Sequence, residues 1–122
     1  MNNVNEIVVG YLTAWNERDT IRRRELIGKV WTEDATYIDA HRSGTGHDGI
    51  NEMIATAQAQ FPGYRLHLAS GIEAHNNYVR FSWAAGGVPE APLYLGGTDF
   101  GTIAPDGRLK IVAGFVDASP ST

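Results

Sequence analysis

Leu93-Tyr94-Leu95-Gly96-Gly97-Thr98-Asp99-Phe100-Gly101-Thr102-Ile103 reads as a long strand that carries three glycines and one acid. Successive side chains of a strand point to opposite faces, so Leu93, Leu95, Gly97, Asp99, Gly101 and Ile103 share one side. That side is apolar except for Asp99. Glycines weaken a flat strand, and Gly96, Gly97 and Gly101 suit a sheet that bends strongly. A bent sheet closed by helices makes a cone with a pocket inside, and Asp99 then points into it.

The flanking segments fit that sheet. Downstream, Pro105-Asp106-Gly107 marks a tight turn, and Leu109 to Val116 reads as the last strand. Upstream, Gly86 to Pro92 is a loop. Before it, Val79, Phe81 and Trp83 alternate with Tyr78, Arg80 and Ser82, after a hairpin turn at Asn76-Asn77. Leu66 and Leu68 alternate with Arg65 and His67 in a further strand.

The first half is mostly helical. Val4, Ile7, Val8, Tyr11, Leu12 and Trp15 recur at the spacing of one helix face. Asn3 and Glu6 form a capping pair at its start. A second helix carries Leu26, Ile27, Val30 and Trp31, and Thr32-Glu33-Asp34 then turns the chain. Ala35 to Ala40 reads as a strand with Ala35, Tyr37 and Asp39 on one face. His41 to His47 reads as a loop, and Asp48 as the cap of a third helix that ends at Pro62-Gly63. Helices early and antiparallel strands late indicate an α+β fold. One domain is expected over 1–118, with a frayed tail at 119–122.

Composition narrows the partners. The 122 residues carry a formal net charge of -4, which disfavours nucleic acid and anionic membranes. No segment has the length and apolarity of a membrane span. With no cysteine, disulfides and thiol nucleophiles are excluded in this chain. No secretory signal is read, so a cytoplasmic protein is expected. His41, His47, His67 and His75 show no HxH or HExxH spacing, and neither a metal nor another cofactor is expected.

Asp99 is the leading candidate for chemistry. An acid on an apolar strand face loses solvation, so its pKa should rise. A backbone-bonded aspartate at a glycine-flanked bulge is the structural alternative. Asp39, at a strand end, reads by turn chemistry as a loop-capping residue. Tyr11 sits centrally in the first helix's stripe, where a buried hydroxyl needs a partner and a buried acid is one. Trp15, Tyr37, Trp83 and His67 are expected around the pocket.

Several runs resemble NTF2-like proteins of the SnoaL-like branch. Tyr11-Leu12-Thr13-Ala14-Trp15-Asn16-Glu17-Arg18-Asp19 and Glu33-Asp34-Ala35-Thr36-Tyr37-Ile38-Asp39 are similar to their opening. Gly46-His47-Asp48-Gly49-Ile50, Phe61-Pro62-Gly63, Val79-Arg80-Phe81-Ser82-Trp83, Gly97-Thr98-Asp99 and Asp106-Gly107-Arg108-Leu109 follow in the matching order. The resemblance implies an NTF2-like cone, with three N-terminal helices on a strongly bent, mostly antiparallel sheet.

It also implies acid/base proton transfer on a small, largely apolar carbonyl compound. Ketosteroid isomerases of this superfamily place a tyrosine and two aspartates where this chain has Tyr11, Asp39 and Asp99. In that pattern Asp39 would be the base, with Tyr11 and a neutral Asp99 bonding the enolate oxygen. The proline that follows the base in those isomerases is Ala40 here. Polyketide cyclases of the SnoaL-like branch instead use the later aspartate, Asp99, as acid and base. The alternative is a non-catalytic ligand-binding or assembly domain. Tyr78, Arg80 and Ser82 on one strand face suit a face-to-face partner, and a homodimer through the sheet is expected.

Overall fold

The computed structural model describes residues 3–117. The expected frayed tail, 119–122, lies outside the described residues. Helix α1, Val4–Asn16, begins where Asn3 Oδ1 accepts the Glu6 amide at 2.8 Å. Its stripe buries Ile7, Val8, Tyr11, Leu12 and Trp15. Helix α2, Thr20–Val30, is capped by Asp19, whose side chain accepts the Arg22 amide. Helix α3, Gly46–Gln60, buries Ile50, Met53, Ile54 and Ala57.

The strands are β1 (Trp31–Ile38), β2 (Ser43–Thr45), β3 (His67–Leu68), β4 (Glu73–His75), β5 (Tyr78–Ala85), β6 (Leu95–Ile103) and β7 (Leu109–Val116). They form one sheet in the order β2-β1-β7-β6-β5-β3, with β4 also paired to β5. Only the β1–β7 contact is parallel among these pairs; the others are antiparallel. Three helices cover one face of a largely antiparallel sheet, so the α+β expectation holds.

Three local expectations need correction. Trp31 opens β1 rather than closing α2, and Thr32-Glu33-Asp34 belongs to that strand. The turn-like composition there corresponds to an irregularity: the pairing with β7 slips between Trp31 and Thr36, and Thr32 Oγ1 donates to Asp34 Oδ1. The loop expected over 41–47 contains β2, which pairs back onto β1. Helix α3 starts at Gly46 after Thr45, so Asp48 lies inside its first turn instead of capping it.

Glycine in β6 serves contact as well as curvature. A Cβ on Gly97 would come within 2.7 Å of the Trp83 ring, so the bare backbone seats the indole. On the concave side Tyr11 packs against Trp31 and Phe81, at ring-centre distances of 5.5 Å and 5.4 Å. Trp15 meets Tyr37 edge-on at 5.4 Å. These aromatics fill the closed end of the sheet's hollow and leave space beyond them.

Candidate functional site

That space is a cavity of about 260 Å³, walled by aromatic and aliphatic side chains that include Trp15, Phe61, Leu66, Trp83 and Leu95. Its polar wall residues are Asp99, Tyr37, Asp39, His41, Arg42, Gln58 and Tyr64. Exposed His41 and Leu93 mark its rim.

Asp99 reaches the wall from the middle of β6, between Phe81 on β5 and Gly114 on β7. It is 2% exposed. Oδ2 accepts the Tyr11 hydroxyl at 2.7 Å, whereas Oδ1 is buried with no hydrogen-bond partner among the described residues. Burial pushes this carboxyl up to about 6. Tyr11 and the Trp83 indole pull it down, and the charge of Asp39 pushes it further up. The Trp83 N–H is near enough to favour the carboxylate without reaching hydrogen-bonding geometry with Oδ1. A carboxyl raised in this way is a base at neutral pH and is still readily protonated.

Tyr11 lies behind Asp99 and forms no part of the cavity wall. It is fully buried, and its proton is spent on Asp99. Burial, then the Asp99 charge, raises the phenol well above its ordinary value, so it stays a donor.

Asp39 is also in the wall, with a side chain 1% exposed, but both its oxygens are occupied. Oδ1 accepts the amides of His41 at 2.7 Å and Arg42 at 3.0 Å. Oδ2 accepts the Tyr37 hydroxyl at 2.7 Å and Arg42 Nη1 at 3.1 Å. Burial would push this carboxyl up; the Tyr37 hydroxyl, the two amides and the guanidinium together hold it below the ordinary carboxylate value. An acid this well paired binds a proton weakly.

Tyr37 joins the two aspartates. A Cβ on Gly114 would lie 2.6 Å from the Tyr37 hydroxyl and 2.8 Å from Asp99 Oδ1, so both oxygens share the space that glycine leaves open. Burial and then the Asp99 charge push the Tyr37 phenol far above its ordinary value.

Of the remaining residues expected at the pocket, Trp15, Tyr37 and Trp83 are in the wall and His67 is not. His67 is exposed on the two-residue strand β3, and the alternation of the chain turns its neighbour Leu66 inward instead. Asn16 fixes that segment, donating to the Leu66 carbonyl at 2.8 Å and accepting the Leu66 amide at 2.7 Å. The sequence reading missed Arg42, Gln58 and Tyr64. Gln58 gives its amide protons to the Trp15 and Glu17 carbonyls and accepts from Arg23, which ties the wall to the buried helix junction.

Among the described residues no group of three or more His, Asp or Glu side chains is placed to hold a metal ion. No helix among them is long and apolar enough to cross a membrane.

No family model and no curated protein sequence matches the chain. Solved structures do. A SnoaL-like family protein from Agrobacterium tumefaciens strain C58, a candidate isomerase, is 42% identical; the match covers 93% of this chain and 96% of that one, with a TM-score of 0.86. An NTF2-like protein from Exiguobacterium sp. 255-15 shares the fold at 14% identity and a TM-score of 0.71, covering 93% and 99% of the two chains. A candidate SnoaL-like polyketide cyclase from Jannaschia sp. CCS1 shares it at 14% identity and 0.69, covering 96% and 91%. The identity and coverage of the Agrobacterium match show that this chain belongs to the SnoaL-like family, within the NTF2-like fold.

Proposed function

We propose that this chain is an enzyme that moves a proton on a small, largely apolar carbonyl compound, with Asp99 as both acid and base. The observation that carries this reading is Asp99, which lines an apolar cavity and whose buried Oδ1 has no hydrogen-bond partner among the described residues. Burial raises the carboxyl to about 6. A base is most effective when its pKa lies near the working pH. Asp39 is poorly suited to the same task because its lone pairs are taken.

Asp99 Oδ1 takes a proton from the carbon beside a carbonyl; the C–H pair becomes a C=C bond, and the carbonyl π pair moves to oxygen as an enolate. Where a second C=C bond adjoins that carbon the enolate is a dienolate, and isomerisation ends when Asp99 returns the proton to its far carbon while the double bond shifts toward the carbonyl. In aldol-type cyclisation the enolate carbon attacks a second carbonyl carbon instead, and Asp99 gives its proton to the new alkoxide. Tyr11 holds the carboxylate in place throughout. The candidate isomerase assignment of the Agrobacterium protein supports the first outcome.

Hydrogen–deuterium exchange tests this without a known product. In D₂O the protein should speed α-proton exchange of a bicyclic ketone such as 2-tetralone. Asp99→Asn should slow that exchange by roughly 10²–10⁴. Exchange that survives Asp99→Asn would remove Asp99 from this role, and a panel of ketones that never exchange would support a binding domain.

We also propose a homodimer through the outer sheet face, where Tyr78 and Phe100 stack at 5.6 Å beside exposed Ile111 and Phe115. Large exposed apolar side chains gathered on one sheet face suit a partner surface. Sedimentation at micromolar concentration should give twice the chain mass of 13.3 kDa, and a monomer alone would refute the assembly.

A further inference from the structure

Removal of a carbon proton leaves negative charge on the substrate oxygen, and a preorganised donor must meet it. Two donors of the cavity wall, and one directly behind it, are already spent. Tyr11 gives its proton to Asp99, Tyr37 to Asp39, and Gln58 to two backbone carbonyls. The isomerase pattern, in which the helix-α1 tyrosine faces the enolate, is therefore not built here.

Arg42 is different. Its side chain is in the wall and 20% exposed, and only Nη1 is hydrogen-bonded, to Asp39, among the described residues. A guanidinium has five N–H donors in a planar fork, so most of them remain available. Asp39 holds one side of that fork and is itself held by two backbone amides and Tyr37. The Tyr37 hydroxyl in turn sits with Asp99 Oδ1 above Gly114. The polar side chains Asp99, Tyr37, Asp39 and Arg42 thus share the cavity wall with its aromatic rings.

We propose that Arg42 is the catalytic residue that stabilises the enolate oxygen, and that Asp39 is a positioning residue that fixes the guanidinium and balances its charge while the cavity is empty. This rests on the reading of Asp99 as the base. It assigns the substrate's orientation: the ring body lies against Trp15 and Trp83, the acidic carbon toward Asp99, and the carbonyl oxygen toward Arg42. It also explains a buried acid whose lone pairs are full. The neutral competitors are Tyr64, a wall residue whose hydroxyl accepts the Leu93 amide and keeps its own proton, and the wall indole N–H of Trp15, which has no hydrogen-bond partner among the described residues.

The test uses 2-naphthol, whose ionised form is a planar apolar body with charge on one oxygen. It is run on Asp99→Asn, whose amide is an uncharged isostere of the protonated acid. Absorbance then reports how much bound probe is naphtholate. In that background the bound probe should ionise at a lower pH than free probe. Adding Arg42→Gln should weaken naphtholate binding roughly ten- to a hundredfold. Adding Arg42→Lys, which keeps a cation beside Asp39 and with it the loop, should give a smaller loss, and adding Tyr64→Phe should change little. Naphtholate binding unaltered in both Arg42 variants, or abolished by Tyr64→Phe, would overturn the proposal. Because the Asp99 carboxylate is absent from every sample, failure here is separate from failure of Asp99 as a base, which the exchange experiment reads.

Discussion

Two carboxylates share one cavity and differ in almost every physical respect. Asp99 lies in the middle of a strand, surrounded by rings and glycine, with one hydrogen bond and one bare oxygen. Asp39 lies where β1 gives way to a loop, with four hydrogen bonds, one of them from a cation. Both side chains are nearly inaccessible. Burial alone therefore does not set their chemistry; partners do. Where partners are missing, desolvation wins and the carboxyl rises to about 6. Where amides, a hydroxyl and a guanidinium converge, they outweigh desolvation and the carboxyl falls below its ordinary value. Asp99 is left with an unpaired oxygen, and Asp39 is tied into the scaffold of its loop.

The contrast breaks most visibly in rate. Asp99→Asn should cost roughly 10²–10⁴ in ketone exchange. Asp39→Asn should cost less, acting through a loosened Arg42, and an equal loss in both would erase the distinction.

Stability comes next. Asp39→Asn leaves a partly buried guanidinium without its counter-charge, and should destabilise the fold at pH 7 by about 3 kcal/mol in urea unfolding. Its folded pKa is lowered, so its contribution is present above the unfolded carboxylate pKa and is lost as pH falls through the folded one. Little change at neutral pH would mean that the loop does not depend on this acid.

Asp99 has the opposite sign. Its folded pKa is raised from 3.8 to about 6, so the folded state binds more protons across that window. Stability should fall as pH rises from 4 to 6, by about 3 kcal/mol in total, and level off above. Asp99→Asn removes the charge but weakens the bond from Tyr11; it should gain about 1–2 kcal/mol at pH 7 and flatten the slope. A variant that loses stability at pH 7 would indicate an ionised structural aspartate.

Much of this was legible in the chain because it depends on local period. The α1 stripe and β7 were read to within a residue, and the strand period of β6 placed Asp99 among apolar neighbours. Other features were hidden for physical reasons. Val30-Trp31 continues an apolar helical run, yet the chain straightens at Trp31 because the indole packs under Tyr11 as part of the sheet. The three residues of β2 carry no apolar alternation and exist only by pairing with β1. Arg42 lies in a stretch, 41–47, that reads from the sequence only as a loop. Its place in the wall follows from the turn that Asp39 organises, and an aspartate with an arginine three residues on is too common a pattern to single out. His67 was misplaced because a two-residue edge strand gives no firm period to say which neighbour turns inward.

The most direct test of the central claim is a carbon-detected NMR titration of the Asp99 and Asp39 side-chain carboxyls in the unliganded protein. Asp99 should titrate at about 6, and Asp39 below the ordinary carboxylate range. Titration of Asp99 at or below Asp39 would contradict the assignment of Asp99 as the acid and base.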